Sequence, residues 1–147
     1  MPIELSDEQT LAIDRDHLTS LARHVLERHG VPADTAVGIL VVDEATMAAL
    51  NADHMGTTGP TDVLAFPIDR LDAADAGGPA VLGDVVLCPA VAYAQAGDHA
   101  RTGPGELALL LVHGLLHLMG MDHHTVEAEK AMFVLTDELL SSHEASA

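Results

Sequence analysis

Apolar positions along the chain switch between two periods, and each switch marks an element. Leu18, Leu21, Ala22, Val25 and Leu26 recur every three or four residues, the spacing of one face of a helix. Asp14 or Asp16 can cap that helix, and Gly30 ends it. Residues 36–42 (AVGILVV) are instead an unbroken apolar run rich in β-branched side chains, the pattern of a central strand buried on both faces. Residues 2–5 alternate apolar and polar, as an edge strand does. Asp43 or Thr46 can cap a short helix that carries Met47 and Leu50 to about His54.

Further along, residues 55–60 (MGTTGP) are a loop by composition, and 61–66 (TDVLAF) form a strand stopped by Pro67. The acidic stretch 69–79 reads as an exposed loop. Residues 81–87 (VLGDVVL) form another strand, in which Gly83-Asp84 suggests a bulge or a close backbone approach. Pro89 opens a helix reaching about residue 100, and Gly103-Pro104-Gly105 breaks the chain before a second one. A last helix covers 125–141, with Val126, Met132, Leu135, Leu139 and Leu140 as its buried stripe. The order β-α-β-α-β-β-α-α-α predicts an α+β fold: a small mixed sheet backed by helices, with parallel pairing in the first β-α-β unit. No repeat or long linker divides it, so residues 1–147 are expected to form one domain.

Composition adds three constraints. Hydrophobic residues make up 48% of the chain but aromatics only 2%, so Leu, Val, Ile, Met and Ala must fill the core. The formal net charge is −17, which weighs against broad, unspecific nucleic-acid binding. Three of the six basic residues, Arg15, Arg23 and Arg28, fall on the wetter side of the first helix and read as a solvated face. The single cysteine, Cys88, excludes an intramolecular disulfide, and no signal peptide or membrane-length apolar stretch is visible. These features together predict a cytoplasmic protein.

The chemistry is concentrated in HGLLHLMGMDH at residues 113–123. If the helix begun by ELALLLV at 106–112 continues, His113 and His117 lie about 40° apart around its axis and one turn apart along it. Gly120 can adopt the left-handed backbone that ends a helix, and the turn can bring His123 to the same point. Three neutral imidazoles with an open fourth position make a catalytic zinc site, one ion per monomer. A lone histidine on an apolar helix is usually packed core; three at ligand spacing with a glycine at the turn favour the metal. The spacing is that of the long zinc-peptidase motif H-E-x-x-H-x-x-G-x-x-H, except that Gly114 replaces the general-base glutamate. Glu106 is too far along the axis to serve as base, whereas Asp122 adjoins a ligand, either as base or as an acceptor orienting an imidazole.

The chain resembles the YbeY family, the bacterial endoribonucleases of ribosomal RNA maturation. The resemblance rests on HGLLHLMGMDH, on GPTDVLAFP at 59–67 and on LGDVVLC at 82–88, all in the family's order. It implies His113, His117 and His123 as zinc ligands, and metal-dependent cleavage of single-stranded RNA in small-subunit ribosomal RNA processing and ribosome quality control. Where the family often carries an arginine five residues before the proline of the second segment, this chain has Met55. Phosphate binding then falls to Arg70, Arg101, backbone amides or a partner. The expected partner is the small ribosomal subunit, reached through a basic ribosomal protein that steers an acidic chain. Two rival readings are a zinc hydrolase of another substrate, peptidase-like, and a non-enzymatic assembly factor. In the latter, zinc locks the turn with His124 or an acidic side chain as fourth ligand.

Overall fold

A computed structural model of the chain describes residues 2–56, 59–69, 80–121 and 124–146. The elements run β1 (Ile3–Glu8), α1 (Arg15–Arg28), β2 (Ala36–Val42), α2 (Glu44–Met55), β3 (Val63–Pro67), β4 (Val81–Leu87), α3 (Pro89–Ala96), a 3-10 turn at Gly97–His99, α4 (Gly103–Leu118) and α5 (Val126–Ser146). The strands form one mixed sheet in the order β1-β2-β4-β3. β1 and β4 flank β2 in parallel, and β3 runs antiparallel along β4. The α+β class and the parallel first unit are as the sequence predicts.

Period-two alternation divides the sheet residues between two apolar clusters. Val37, Ile39, Val41, Val85 and Leu87 enter the larger core with α1 and α4, whereas Leu40, Val42, Leu64, Val86 and Phe66 gather around Met47 and Leu50 of α2. Leu82 would fall in the second cluster by strict alternation but packs in the first. The cause is the bulge expected at Gly83: Ala36 pairs with Val81 but Val37 with Gly83, so the register slips by one residue. Gly83 sits at φ 148°, and a Cβ there would strike the Phe66 carbonyl, so only glycine fits.

Local capping sets the helix starts. Asp14 accepts a hydrogen bond from the His17 amide at 3.0 Å, and Asp43 accepts one from the Thr46 amide at 2.8 Å. Arg15, Arg23 and Arg28 are exposed, a solvated face as expected. Two expectations change. Gly103-Pro104-Gly105 does not break the chain but forms the first turn of α4, capped by the Thr102 hydroxyl, which accepts from the Gly105 amide at 3.0 Å. Proline is tolerated there because a first-turn amide has no intrahelical partner to lose. Val126 is not in the buried stripe of α5 but is exposed. The stripe is Met132, Thr136, Leu139 and His143, flanked by partly buried Leu135 and Leu140, and a residue six before Met132 lies about 120° off it.

α4 organises the rest. It packs on α1, α3, α5, β3 and β4, and every residue from Glu106 to Val112 is buried. Glu106 can be there because its carboxylate is partnered: His99 Nδ1 lies 3.0 Å from both oxygens and Arg101 Nη1 3.5 Å from one. Among the described residues no helix is long and apolar enough to cross a membrane.

Candidate active site

The end of α4 carries the histidines. His113 and His117 stand one turn apart on it, and the helix stops at Leu118. The Gly120 amide donates to the His117 carbonyl and the Met121 amide to the Leu116 carbonyl, both at 3.0 Å, with Gly120 at φ 95°. This pair of bonds is the Schellman closure that a left-handed glycine permits. It turns the chain back immediately after the second histidine, as the motif requires.

Between the histidines, Gly114 answers a packing demand. A glycine inside a helix costs about 1 kcal/mol relative to alanine, so its place needs a reason. A Cβ there would lie 2.6 Å from Val85 Cγ1 and 3.3 Å from Val63 Cγ2. The helix therefore sits directly on β4 and β3. There is no room for the glutamate that a peptidase carries at this position. The three motif-bearing stretches of the sequence meet at this contact: Val63 from the second, Val85 from the third, Gly114 from the first. The segment entering β3 is pinned from two helices. Asn51 of α2 donates to the Gly59 carbonyl at 2.9 Å, and Gln95 of α3 donates to the Asp62 carboxylate at 2.8 Å.

His113 and His117 line two cavities at once. The larger, of about 560 Å³, is bounded by His54, Met55, Asp62 and the β3 residues, with Gly114 and His124. The smaller, of about 240 Å³, is closed by Glu129, Met132 and Phe133 of α5. Phe133 meets His113 edge-on, with ring centroids 5.6 Å apart. His54 lies against Phe66 at 4.1 Å. Sequence reasoning did not mark His54, Asp62, Glu129 or Phe133, because only the fold brings their elements to the histidines.

Other expected site residues fall as follows. His123 and Asp122 lie outside the described residues, as does Arg70. Among the described residues no three His, Cys, Asp or Glu side chains are placed to hold a metal together. A three-ligand cage at this cavity therefore requires a side chain beyond them. The donor chemistry of His113 and His117 suits zinc, since two imidazoles one turn apart on a helix are a common half of such a cage. Met55 is exposed at the end of α2 and opens onto the larger cavity, so the expected arginine would have faced the site. Arg101, one of the proposed substitutes, is engaged with Glu106 and lines neither cavity. Cys88 is fully buried at the strand end, and burial pushes its thiol pKa up, which suits a packing role.

Comparison with known proteins defines first a class. Residues 3–144 match a family of endoribonucleases, hydrolytic enzymes that cut RNA internally. The family is that of endoribonuclease YbeY, and the chain belongs to it. It is 47% identical to endoribonuclease YbeY of Acidothermus cellulolyticus, with 97% of this chain and 91% of that protein covered. It is 45% identical to the Salinispora tropica protein of the same description, covering 97% and 96%. The fold is similar to a Thermotoga maritima protein solved in solution, with a TM-score of 0.64 at 25% identity over 98% of this chain and 93% of that one.

Proposed function

We propose that the chain is a zinc-dependent endoribonuclease that cuts single-stranded RNA in small-subunit ribosomal RNA processing and ribosome quality control. In this reading residues 1–147 act as one catalytic domain in the cytoplasm. The observation that carries it is the pair His113 and His117, one turn apart over a cavity, with the intervening position closed to a peptidase glutamate by Val85. His123, three residues past the Gly120 turn in sequence, is the third ligand, for one zinc per monomer. Zinc, when bound, supplies a Lewis acid beside the phosphodiester. The imidazoles fix where the phosphate sits, and the cavity walls limit which strands reach it. Asp122, next to the third ligand, holds or accepts a proton there. Glu129 at the wall of the smaller cavity and Asp62 at the wall of the larger are further carboxylates at the site.

Substrate delivery follows from charge. A chain of net charge −17 with Met55 at the cavity attracts free RNA poorly over distance. Docking on the small ribosomal subunit, through a ribosomal protein with a basic surface, supplies the encounter.

The test is metal analysis of the purified chain, followed by cleavage of single-stranded RNA and of casein with and without chelator. One zinc per chain and chelator-sensitive RNA cleavage are expected. Casein cleavage, or RNA cleavage untouched by verified metal removal, overturns the reading. Immature small subunits should be cut faster than naked RNA, and Met55→Arg should narrow that gap in a salt-sensitive way. Equal rates on both substrates with no effect of Met55→Arg would remove the docking step.

A further inference from the structure

Because His113 and His117 are the shared wall of two cavities, a strand with its phosphate at the imidazoles extends into both. Neither cavity has an arginine or lysine among its described lining residues, and each contains a carboxylate, Asp62 in one and Glu129 in the other. The described lining therefore offers the backbone of a polyanion little positive charge. What each cavity does offer is an aromatic ring. Phe133 is 46% exposed on α5, beside buried Met132, and stands edge-on to His113. His54 is exposed in the larger cavity, laid against Phe66 with an interplanar angle of 31°. In a chain with only 2% aromatic residues, one of the two phenylalanines stands 46% exposed at the site. Nucleobases stack on such rings whatever their identity.

We propose that Phe133 and His54 are base-stacking positions on opposite sides of the scissile phosphate, so that the enzyme grips a single strand by its bases rather than its backbone. This rests on the RNA-cleaving reading above and assigns two positioning residues to it. It also gives a physical basis for strand selectivity. In a duplex the bases are already stacked on one another and have no face to offer, whereas a single strand can splay them onto protein rings.

The experiment uses the full chain with a short 2′-O-methyl oligonucleotide carrying 2-aminopurine, whose fluorescence is quenched on stacking, alongside cleavage of unmodified RNA. Phe133→Leu is expected to weaken oligonucleotide binding by about 5- to 100-fold and to abolish part of the quench. It should raise KM more than it lowers kcat, at unchanged zinc content. His54→Ala should act in the same direction. Phe133→Tyr and His54→Phe should restore binding and quench, because a ring is what is required. Raising salt from low to physiological values should change these losses little, unlike a phosphate contact. Wild-type binding and quench in both Phe133→Leu and His54→Ala, with RNA cleavage intact, overturn the stacking assignment and leave the nuclease reading standing. Quench lost in these variants, in a protein whose wild type never cuts RNA, upholds stacking and overturns the nuclease instead.

Discussion

Two groups of histidines in this molecule are built in opposite ways. His17 and His24 of α1 and His143 of α5 form a seam between helices, with ring centroids 5.3 and 5.4 Å from His143. Serines join it: His143 Nε2 lies 3.0 Å from the Ser20 hydroxyl, and His24 Nε2 lies 2.7 Å from that of Ser142. His113 and His117 come instead from one helix, face the same cavities, and are separated by a glycine that seats the helix on the sheet. The first arrangement fastens two elements together; the second aims two donors at a space. Nearness of histidines is thus a poor guide to chemistry by itself. What matters is whether their ring nitrogens meet hydroxyls across a seam or converge on room for a ligand.

The sharpest way to break this contrast is to remove each group in turn. His113→Ala or His117→Ala should weaken zinc binding by more than about 100-fold, since losing even a supporting contact to a ligand can cost 10- to 100-fold. RNA cleavage should fall with it. His143→Ala should leave zinc content unchanged. Full occupancy in the His113→Ala, His117→Ala double variant, measured by metal analysis, sinks the assignment. His124, which lines the larger cavity, tests the register of the cage. Metal lost in His124→Ala but kept in His123→Ala would move the third ligand by one position.

Zinc removal should also separate the two groups. Binding to the folded state alone stabilises by about 2.7 kcal/mol at a hundredfold excess over Kd, so calorimetry of the metal-free chain should show a lower Tm. An unchanged Tm after verified removal would uncouple the cage from the fold. Gly114→Ala probes the seat of the helix without touching a donor. The added methyl meets Val85 at 2.6 Å, and overpacking of this kind costs about 1–3 kcal/mol in denaturant melts, of which alanine's better helix propensity returns about 1 kcal/mol. A variant about 1 kcal/mol more stable than wild type, the whole propensity gain, would mean that Val85 yields to the methyl without cost.

The smallest expected effect belongs to the seam. Burial, then the neighbouring His17 and His24, push the His143 pKa below its ordinary 6.5, against a weaker opposing pull from Glu144. As pH falls through 6.5 the unfolded chain takes up a proton that folded His143 does not, so stability declines until the lower folded value is passed. Above that range this histidine contributes no slope. In metal-free protein, His143→Gln should flatten the acid side of the Tm profile. A slope identical to wild type would assign the titration elsewhere.

The same contrast explains what could be read in the sequence. His113 and His117 were visible because helical spacing is local, and Gly120 because a turn is local too. The apolar run of β2, the bulge at Gly83 and the Asp14 and Asp43 caps were legible for the same reason. The seam was not, since its hydrogen bonds join residues 118 and 123 positions apart. Glu129, Phe133 and His54 were equally hidden, because α2 and α5 reach the site only through the sheet and α4. Where local signs misled, a second local rule prevailed. Gly103-Pro104-Gly105 looks like a break, yet a capped first turn accepts proline.

The central place of α4 bears on how the chain survives its own synthesis. The sheet face formed by Val37, Ile39, Val41, Val85 and Leu87 is closed partly by a helix that ends at Leu118, long after the first of these strands has left the ribosome. At ordinary translation rates that interval is on the order of 10 s, far longer than local folding takes. For that time the nascent chain shows an unfinished apolar surface, the kind that chaperones capture and that aggregates when they do not. Ribosome stalling between β2 and α4 should thus be more hazardous to this protein than stalling after Leu118.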